Sequence, residues 1–540
     1  MAEPTHSQRP VRALPLVVFL AGVGTLGVEM IASRLLAPYF GTSQPIWAAV
    51  IGLTLIYLAI GYHIGGRLAD RRPEPQLLAQ ILLVAGVATA LIPLLSRPIL
   101  SGAQQALVGI EIGAFLGALL GTLLLFAIPV TLLAMVSPLA VRLRLLTSAE
   151  AGSTVGTLSA LSTLGSIVGT FLTVLVFIPS IGTTRTTLLY AGLLVLLGFI
   201  GWRTRWAAIL LILFGIIASA TFALQGNVKA AGCTGCTLIT EQESASNYIQ
   251  VAERSGPNGQ QTVLMLNEGL AVHSIYNQRY QQSGNPSDLL SGGGPWDYFV
   301  IAPFLYPNRT PESIQSMAML GSGAGTAPAL FYAIYGPERR VDAVEIDGTI
   351  IDLSRRYFGA NDAESNAPNA IPNYHVHAED GRYWLATSNQ RYDIIAIDAY
   401  HQPYIPFHLT TQEFFAQVRS RLNEQGVAVI NAGLGPNGDD RLGQAIIATM
   451  RTVFPEIYIM ETARGGNQII IGVNQAVGDG WGNMITNYEQ LTDPTLRAIV
   501  EQVQVSERPI NPHVAAFTDD HAPVEALVDS LIFDVAVTPP

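Results

Sequence analysis

The sequence predicts a chain in three parts. An α-helical transmembrane region fills 1–225, a junction and small antiparallel β-domain fill 226–310, and an α/β domain fills 311–540. Three observations predict this. Apolar runs of bilayer-crossing length crowd the first part and cease near residue 225. Alternating apolar and polar residues follow them. Beyond those, strand-like and helix-like segments take turns, as in a mostly parallel sheet covered by helices on both faces.

The apolar runs are 14–36, 47–64, 77–95, 108–136, 154–178, 186–202 and 206–224. Each approaches the ~20 residues that cross a bilayer as a helix, so seven spans are expected. The fourth contains Pro129, which removes a helix hydrogen bond and predicts a kink. The first run is one of seven and lacks a convincing cleavage site, so it reads as a span rather than a cleaved leader. Glu29 and Arg34 lie in it, where charge marks a pathway or a mutual pair reaching the interface.

Arginines set the orientation. Arg9, Arg12, Arg67, Arg71, Arg72, Arg142, Arg144, Arg203 and Arg205 fall on the amino-terminal side; Arg34, Arg97 and Arg185 fall on the other. That excess places the amino terminus in the cytoplasm and, after seven crossings, the carboxyl-terminal domain outside. A re-entrant segment around Pro129 would reverse the second half of that expectation.

Only 13% of residues are charged, against about 25% in ordinary soluble domains. The net charge is −11, and no basic stripe exists to hold nucleic acid, which excludes it as a partner. The two cysteines, Cys233 and Cys236, stand just after the last span. They are too few for a zinc site, which leaves a local disulfide in an oxidising compartment or two incidental thiols.

Residues 237–275 alternate in strand fashion, as in Tyr248-Ile-Gln-Val-Ala252 and Thr262-Val-Leu-Met-Leu266. Gly292-Gly-Gly-Pro295 is a loop. Strands are then expected at 316–320, 340–344, 373–377, 392–397, 426–431, 456–460 and 467–472. Helices are expected at 325–335, 348–358, 380–387, 411–422 and 439–453.

The candidate site falls at the ends of these strands. Gly321-Ser-Gly-Ala-Gly325 is a glycine turn after a buried strand, where a backbone without side chains can approach a ligand. Glu345 ends the next strand and can accept hydrogen bonds from both hydroxyls of a ribose. Asp347 beside it suits a helix cap. Asp380-Gly381 follows the third strand, where a carboxylate can take the exocyclic amine of adenine. Asp398 ends the fourth and can remove a proton from an attacking amine.

Carried by Gly321-Ser-Gly-Ala-Gly325, Val344-Glu-Ile-Asp347, Glu379-Asp-Gly381 and Tyr392-Asp-Ile-Ile-Ala-Ile-Asp398, residues 240–530 resemble the spermidine synthase family of polyamine aminopropyltransferases. With Gly65-Gly-Arg-Leu-Ala-Asp-Arg71 between the second and third spans, the whole resembles that family's bacterial branch fused to a multi-helix membrane region.

The resemblance implies a Rossmann-like methyltransferase fold and a co-substrate, decarboxylated S-adenosylmethionine or S-adenosylmethionine itself, with no metal. It implies a small amine or polyamine acceptor, a bacterial plasma membrane as surroundings, and a homodimer as one assembly. It assigns the cofactor to Gly321, Gly323, Gly325, Glu345, Asp347, Asp380 and Gly381, and catalysis to Asp398. Glu268, His273, Tyr276, His401, Asp519 and Asp520 are its candidates for acceptor binding.

The chain also departs from the family. Ala324 stands where the family's turn has an Asp, and His401 where its catalytic loop has a second acid. The stretch Leu266-Asn-Glu-Gly-Leu-Ala-Val-His-Ser-Ile-Tyr276 replaces an acidic pair before Tyr-His. A desolvated ammonium without a carboxylate costs several kcal/mol, so an ordinary diamine loses support. Glu268, Asp519 and Asp520 would substitute for the lost acids, or His273 and His401 would face the carboxylate of intact S-adenosylmethionine. Three functions follow: an aminopropyltransferase, another S-adenosylmethionine-dependent enzyme that transfers methyl or cleaves the cofactor, and a transporter or sensor of polyamines or nucleosides.

Overall fold

The computed structural model describes the chain outside residues 1–12, 41–43, 107–112, 146–150, 224–232, 234, 245, 257–258, 268–270, 366, 368–369, 401–403, 436–437, 529 and 531–540. It divides into two compact units that part near Lys229.

The first unit is helical: α1 Leu14–Phe40, α2 Gln44–Arg71, α3 Pro75–Ala106, α4 Gly113–Ala134, α5 Val136–Arg144, α6 Ala151–Leu172, α7 Ile178–Gly201 and α8 Arg205–Ala223. Among the described residues, seven spans are long and apolar enough to cross a membrane, the fourth combining α4 and α5 as Phe115–Arg144. That span breaks at Met135 rather than at Pro129, which sits inside α4. Pro138 explains the position, since it has no N–H to return to the carbonyl of Ala134.

The helices are apolar on their outer faces too, with Leu55, Ile128, Leu175 and Ile212 more than half exposed. Where α1 crosses α6, a Cβ on Gly22, Gly165 or Gly169 would strike the other helix's backbone. Small residues at such crossings let apolar helices pack by close contact.

The second unit opens with Cys233 disulfide-bonded to Cys236. Four antiparallel strands follow in the order β1-β2-β3-β4: β1 Thr237–Glu243, β2 Tyr248–Gly256, β3 Gly259–Leu266 and β4 Val272–Asn277. Two short helices, α9 Tyr280–Ser283 and α10 Pro295–Phe299, lead to the main sheet.

The main sheet alternates with helices in chain order: β5 Ser316–Leu320, α11 Thr326–Tyr335, β6 Arg340–Val344, α12 Gly348–Tyr357, β7 Tyr374–His377, α13 Gly381–Thr387 and β8 Tyr392–Ile397. It continues with α14 Gln412–Ser420, β9 Leu422–Gly433, α15 Arg441–Met450, β10 Glu456–Glu461, β11 Asn467–Val473, α16 Gly480–Gln490, α17 Pro494–Val500 and β12 Gln504–Val505. The spatial order is β12-β10-β11-β9-β8-β5-β6-β7. Strands β7, β6, β5, β8 and β9 are parallel, and β11, β10 and β12 attach antiparallel.

Parallel strands buried on both faces read as continuous apolar runs, which is why they were legible in the sequence. Met317, Met319, Ile394 and Ala396 face one core, and Ala318, Leu320, Ile395 and Ile397 face the other. The chain runs outward from β5 to β7 and then returns to β8 on the other side of β5. That switch brings the ends of β5, β6 and β8 together, where Leu320 pairs with both Val344 and Ile397. Open α/β sheets bind ligands in the crevice at such a point.

Candidate active site at the strand ends

The turn after β5 is built of left-handed residues. Gly321, Gly323 and Gly325 have φ of 80°, 52° and 88°. A side chain at Gly321 would lie 2.5 Å from the Cα of Ala399, so the turn packs directly on the chain leaving β8. At Gly323 it would lie 2.6 Å from Oγ of Ser274 on β4. These glycines therefore serve the protein's own packing, beyond the ligand approach inferred from the sequence.

Every N–H of the turn is used inside the protein. Gly321 and Ser322 donate to the carbonyl of Val344 at 2.9 and 3.0 Å, and Gly325 to that of Ser322 at 2.9 Å. Gly323 donates to Oε2 of Glu345 at 2.9 Å, and Ala324 to Oγ of Ser274 at 2.8 Å. A phosphate cradle needs such donors aimed at the ligand. This turn offers none of the five and suits a ligand held by its neutral faces.

Glu345 is buried, and its other oxygen accepts the N–H of Asp347 at 3.1 Å. Burial lifts its pKa to about 7 against the pull of those backbone donors. Asp347 takes a different part from the one the resemblance gave it. Its Oδ1 caps α12 through Thr349 N–H at 3.0 Å, and its Oδ2 accepts from Ser244 and from Asn247 Nδ2. It pins the β1–β2 turn to α12 and keeps one acceptor position on Oδ1.

Asp380 caps α13, with Oδ1 accepting N–H groups of Arg382 and Tyr383 at 3.0 and 2.9 Å. Its Oδ2 lies 3.0 Å from Nε2 of His408. That imidazole, together with the backbone donors, holds the carboxyl below its usual range. A carboxylate oxygen has two acceptor positions, so one remains on Oδ2. Gly381 opens α13 beside it.

Asp398 leaves β8 between two neutral donors. Trp296 Nε1 of α10 donates to Oδ2 at 2.8 Å, and Asn431 Nδ2 of β9 donates to Oδ1 at 2.8 Å. Desolvation raises its pKa to about 7, opposed by those two bonds. No ion pair to Asp398 occurs among the described residues.

The acceptor candidates separate. His273 lies in β4, its carbonyl 3.3 Å from where a Gly323 side chain would begin, so it borders the turn. Tyr276 does not point to the site. It is buried in the core with its hydroxyl against Gly359 beyond α12; it shares the Ser274 face of β4, two residues further along the strand. Asp519 is bound bidentately by Arg382 at 2.7 and 2.7 Å and by Thr411 at 2.7 Å, an anchor for the carboxyl-terminal segment. Asp520 is exposed beside it. Glu268 and His401 lie outside the described residues. Ala324, where an acid was looked for, is buried.

Sequence reasoning missed Trp296, Asn431, Ser274 and His408. The polar Asn431 at the end of the apolar run Val427-Ala-Val-Ile430 was the one available signal. Among the described residues no group of three or more His, Cys, Asp or Glu is placed to hold a metal.

Residues 326–464 match the family described as spermine/spermidine synthase domain. A probable polyamine aminopropyl transferase of Bifidobacterium longum (strain NCC 2705) is 30% identical over 321 residues, covering 55% of this chain and 65% of that one. The chain thus spans under two thirds of this relative's length. An eEF1A lysine and N-terminal methyltransferase of Mus musculus is 26% identical over 174 residues, 30% of this chain and 23% of that one. A crystal structure of a probable spermidine synthase from Corynebacterium glutamicum ATCC 13032 aligns with 18% identity over 51% of this chain and 97% of that one. Its TM-score is 0.35, too weak a superposition to carry weight.

Proposed function

We propose that this chain, a member of the spermine/spermidine synthase family, is an aminopropyltransferase anchored in a membrane by its helical unit. Decarboxylated S-adenosylmethionine is the donor, a small amine the acceptor, and methylthioadenosine the product that leaves. The amine's lone pair attacks the carbon next to the sulfonium, the C–S bond breaks, and its electrons return to sulfur. The new ammonium gives its surplus proton to Asp398.

One observation carries this reading. Asp398 is a desolvated carboxylate at the switch point, held by two neutral donors and lacking any described ion pair. A buried carboxylate without a counter-charge favours a cationic partner. Each of its oxygens keeps an acceptor position for one. The internally satisfied turn suits a sulfonium nucleoside better than a dinucleotide. Glu345 keeps acceptor capacity for ribose, and Asp380 one position for adenine. Because the sulfonium is already a good leaving group, positioning and one proton acceptor suffice. The apolar outward faces of α1–α8 support a lipid surrounding.

A second reading, methyl transfer, is favoured by Ala324. It is buried and carries no carboxylate to hold an aminopropyl ammonium. The match to the mouse methyltransferase points the same way. Products decide between them. Purified full-length protein is incubated with decarboxylated or intact S-adenosylmethionine and a panel of amines, and products are weighed by mass spectrometry. Methylthioadenosine supports aminopropyl transfer; S-adenosylhomocysteine sinks it in favour of methyl transfer.

A further inference from the structure

Asp398 does not hold its own position. Its two oxygens are fixed by side chains from segments far away in sequence, and one of these is itself fixed by a third. Asn467 Nδ2, at the start of β11, donates to Oδ1 of Asn431 at 2.9 Å. An amide turned by 180° would present its oxygen to the carboxylate instead. With Asn467 donating to its oxygen, the Asn431 amide turns its NH₂ toward Asp398. The antiparallel register that seats Asn467 opposite Gly433 brings the two amides together.

The opposite side is equally constrained. Trp296 is buried, and an indole N–H can only donate. Its short helix α10 is locked by Asp297, whose oxygens accept the N–H groups of Ser291 and Gly293 at 2.8 and 3.0 Å. Arg464 closes the same loop from outside through the carbonyls of Gly292 and Ser291. Tyr400 ties the chain after β8 to β9, donating to the carbonyl of Asn431 at 3.1 Å and accepting Gly433 N–H at 2.9 Å. Burial, and then the Asp398 carboxylate beside it, raises the pKa of the Tyr400 hydroxyl.

We propose that Trp296, Asn431 and Asn467 are positioning residues that hold Asp398 as an oriented, ionised proton acceptor. The inference rests on Asp398 being the base. Both donors favour the charged form, and neither can accept a proton from the acid form. They oppose the desolvation that would otherwise keep the group protonated at neutral pH.

The test reads the titration directly. Full-length protein in detergent is labelled with ¹⁵N at its six tryptophan indoles, and Trp296→Phe identifies the Trp296 signal. In the unmodified chain that signal is expected to titrate once, with Asp398. Asn431→Leu should raise the midpoint by about one pH unit or more, the effect of losing a hydrogen bond to a charged group. Asn467→Leu leaves Asn431 in place and frees its amide to turn, so it should raise the midpoint by less. It also serves if Asn431→Leu fails to fold. A midpoint unmoved in the variants that fold overturns the inference. Shifted midpoints with no methylthioadenosine from any amine leave the positioning intact and sink the transfer reading. Turnover whose acid limb does not move in either variant sinks the positioning alone.

Discussion

At the scale of single residues, the contest at Asp398 is between desolvation and hydrogen bonding. Desolvation wins, lifting its pKa to about 7. Asp398→Asn removes the proposed base, but it also offers one acceptor to two donors, Trp296 and Asn431. We expect a loss on the order of 10²-fold or more in turnover, with methylthioadenosine affinity little changed. Near-normal turnover would end the assignment. Activity should rise with pH through about 7 as the carboxylate ionises, and a pH–rate profile reads this. Stability moves the other way. Asp398 and Glu345 have folded pKa values raised to about 7, above 3.8 and 4.5, so the folded state holds more protons between those limits. Their contribution is present below about pH 4 and is lost as pH climbs through about 7. Denaturation midpoints at pH 5 and 7.5 should therefore fall with pH, and the slope should flatten in Asp398→Asn. Glu345→Gln sets an NH₂ against the donors Gly323 and Asp347. A ribose contact is made equally in ground and transition states, so affinity should drop roughly tenfold or more with kcat less affected. Unchanged methylthioadenosine affinity by calorimetry would show that the ribose is held elsewhere.

Elements decide which of these residues meet. The strand ends were legible because β5, β6 and β8 are apolar runs closed by a glycine turn or an acid, signals contained within each segment. Trp296 and Asn467 carry no such signal, and Asn431 only the faint one of a polar residue closing an apolar run. All three are neutral, stand on α10, β11 and β9, and converge through the sheet order. Asp347 and Asp380 show the converse: an acid after a strand is also the first residue of a helix, and capping competes with ligand binding for the same oxygens. In each, one oxygen caps the helix and the other is engaged by side chains, Ser244 and Asn247 at Asp347 and His408 at Asp380. The glycine turn is the element most exposed to substitution. Gly321→Ala would drive a Cβ within 2.5 Å of the Ala399 backbone at a φ of 80°. We expect destabilisation of about 2–4 kcal/mol and loss of nucleoside binding. Thermal unfolding and equilibrium dialysis measure the two, and a variant normal in both would mean that the turn relaxes freely.

At the scale of the whole molecule, two lines bear on the side of the membrane. Seven apolar helices occur among the described residues, and the break at Met135 interrupts the fourth without turning it into two. The arginines gather on the amino-terminal side, nine against three. Loops this short obey the positive-inside rule well. From these we expect the carboxyl-terminal domain outside the cytoplasm, where Cys233 and Cys236 would keep the disulfide they form. The cost is supply, because a cationic nucleoside made in the cytoplasm would have to be exported to reach the site. A carboxyl-terminal fusion separates the alternatives. Alkaline phosphatase active in intact cells is the expected result. Fluorescence from a reporter that matures only in the cytoplasm would reverse the orientation. It would mean that one of the seven helices does not cross, the interrupted α4–α5 span being the first to suspect.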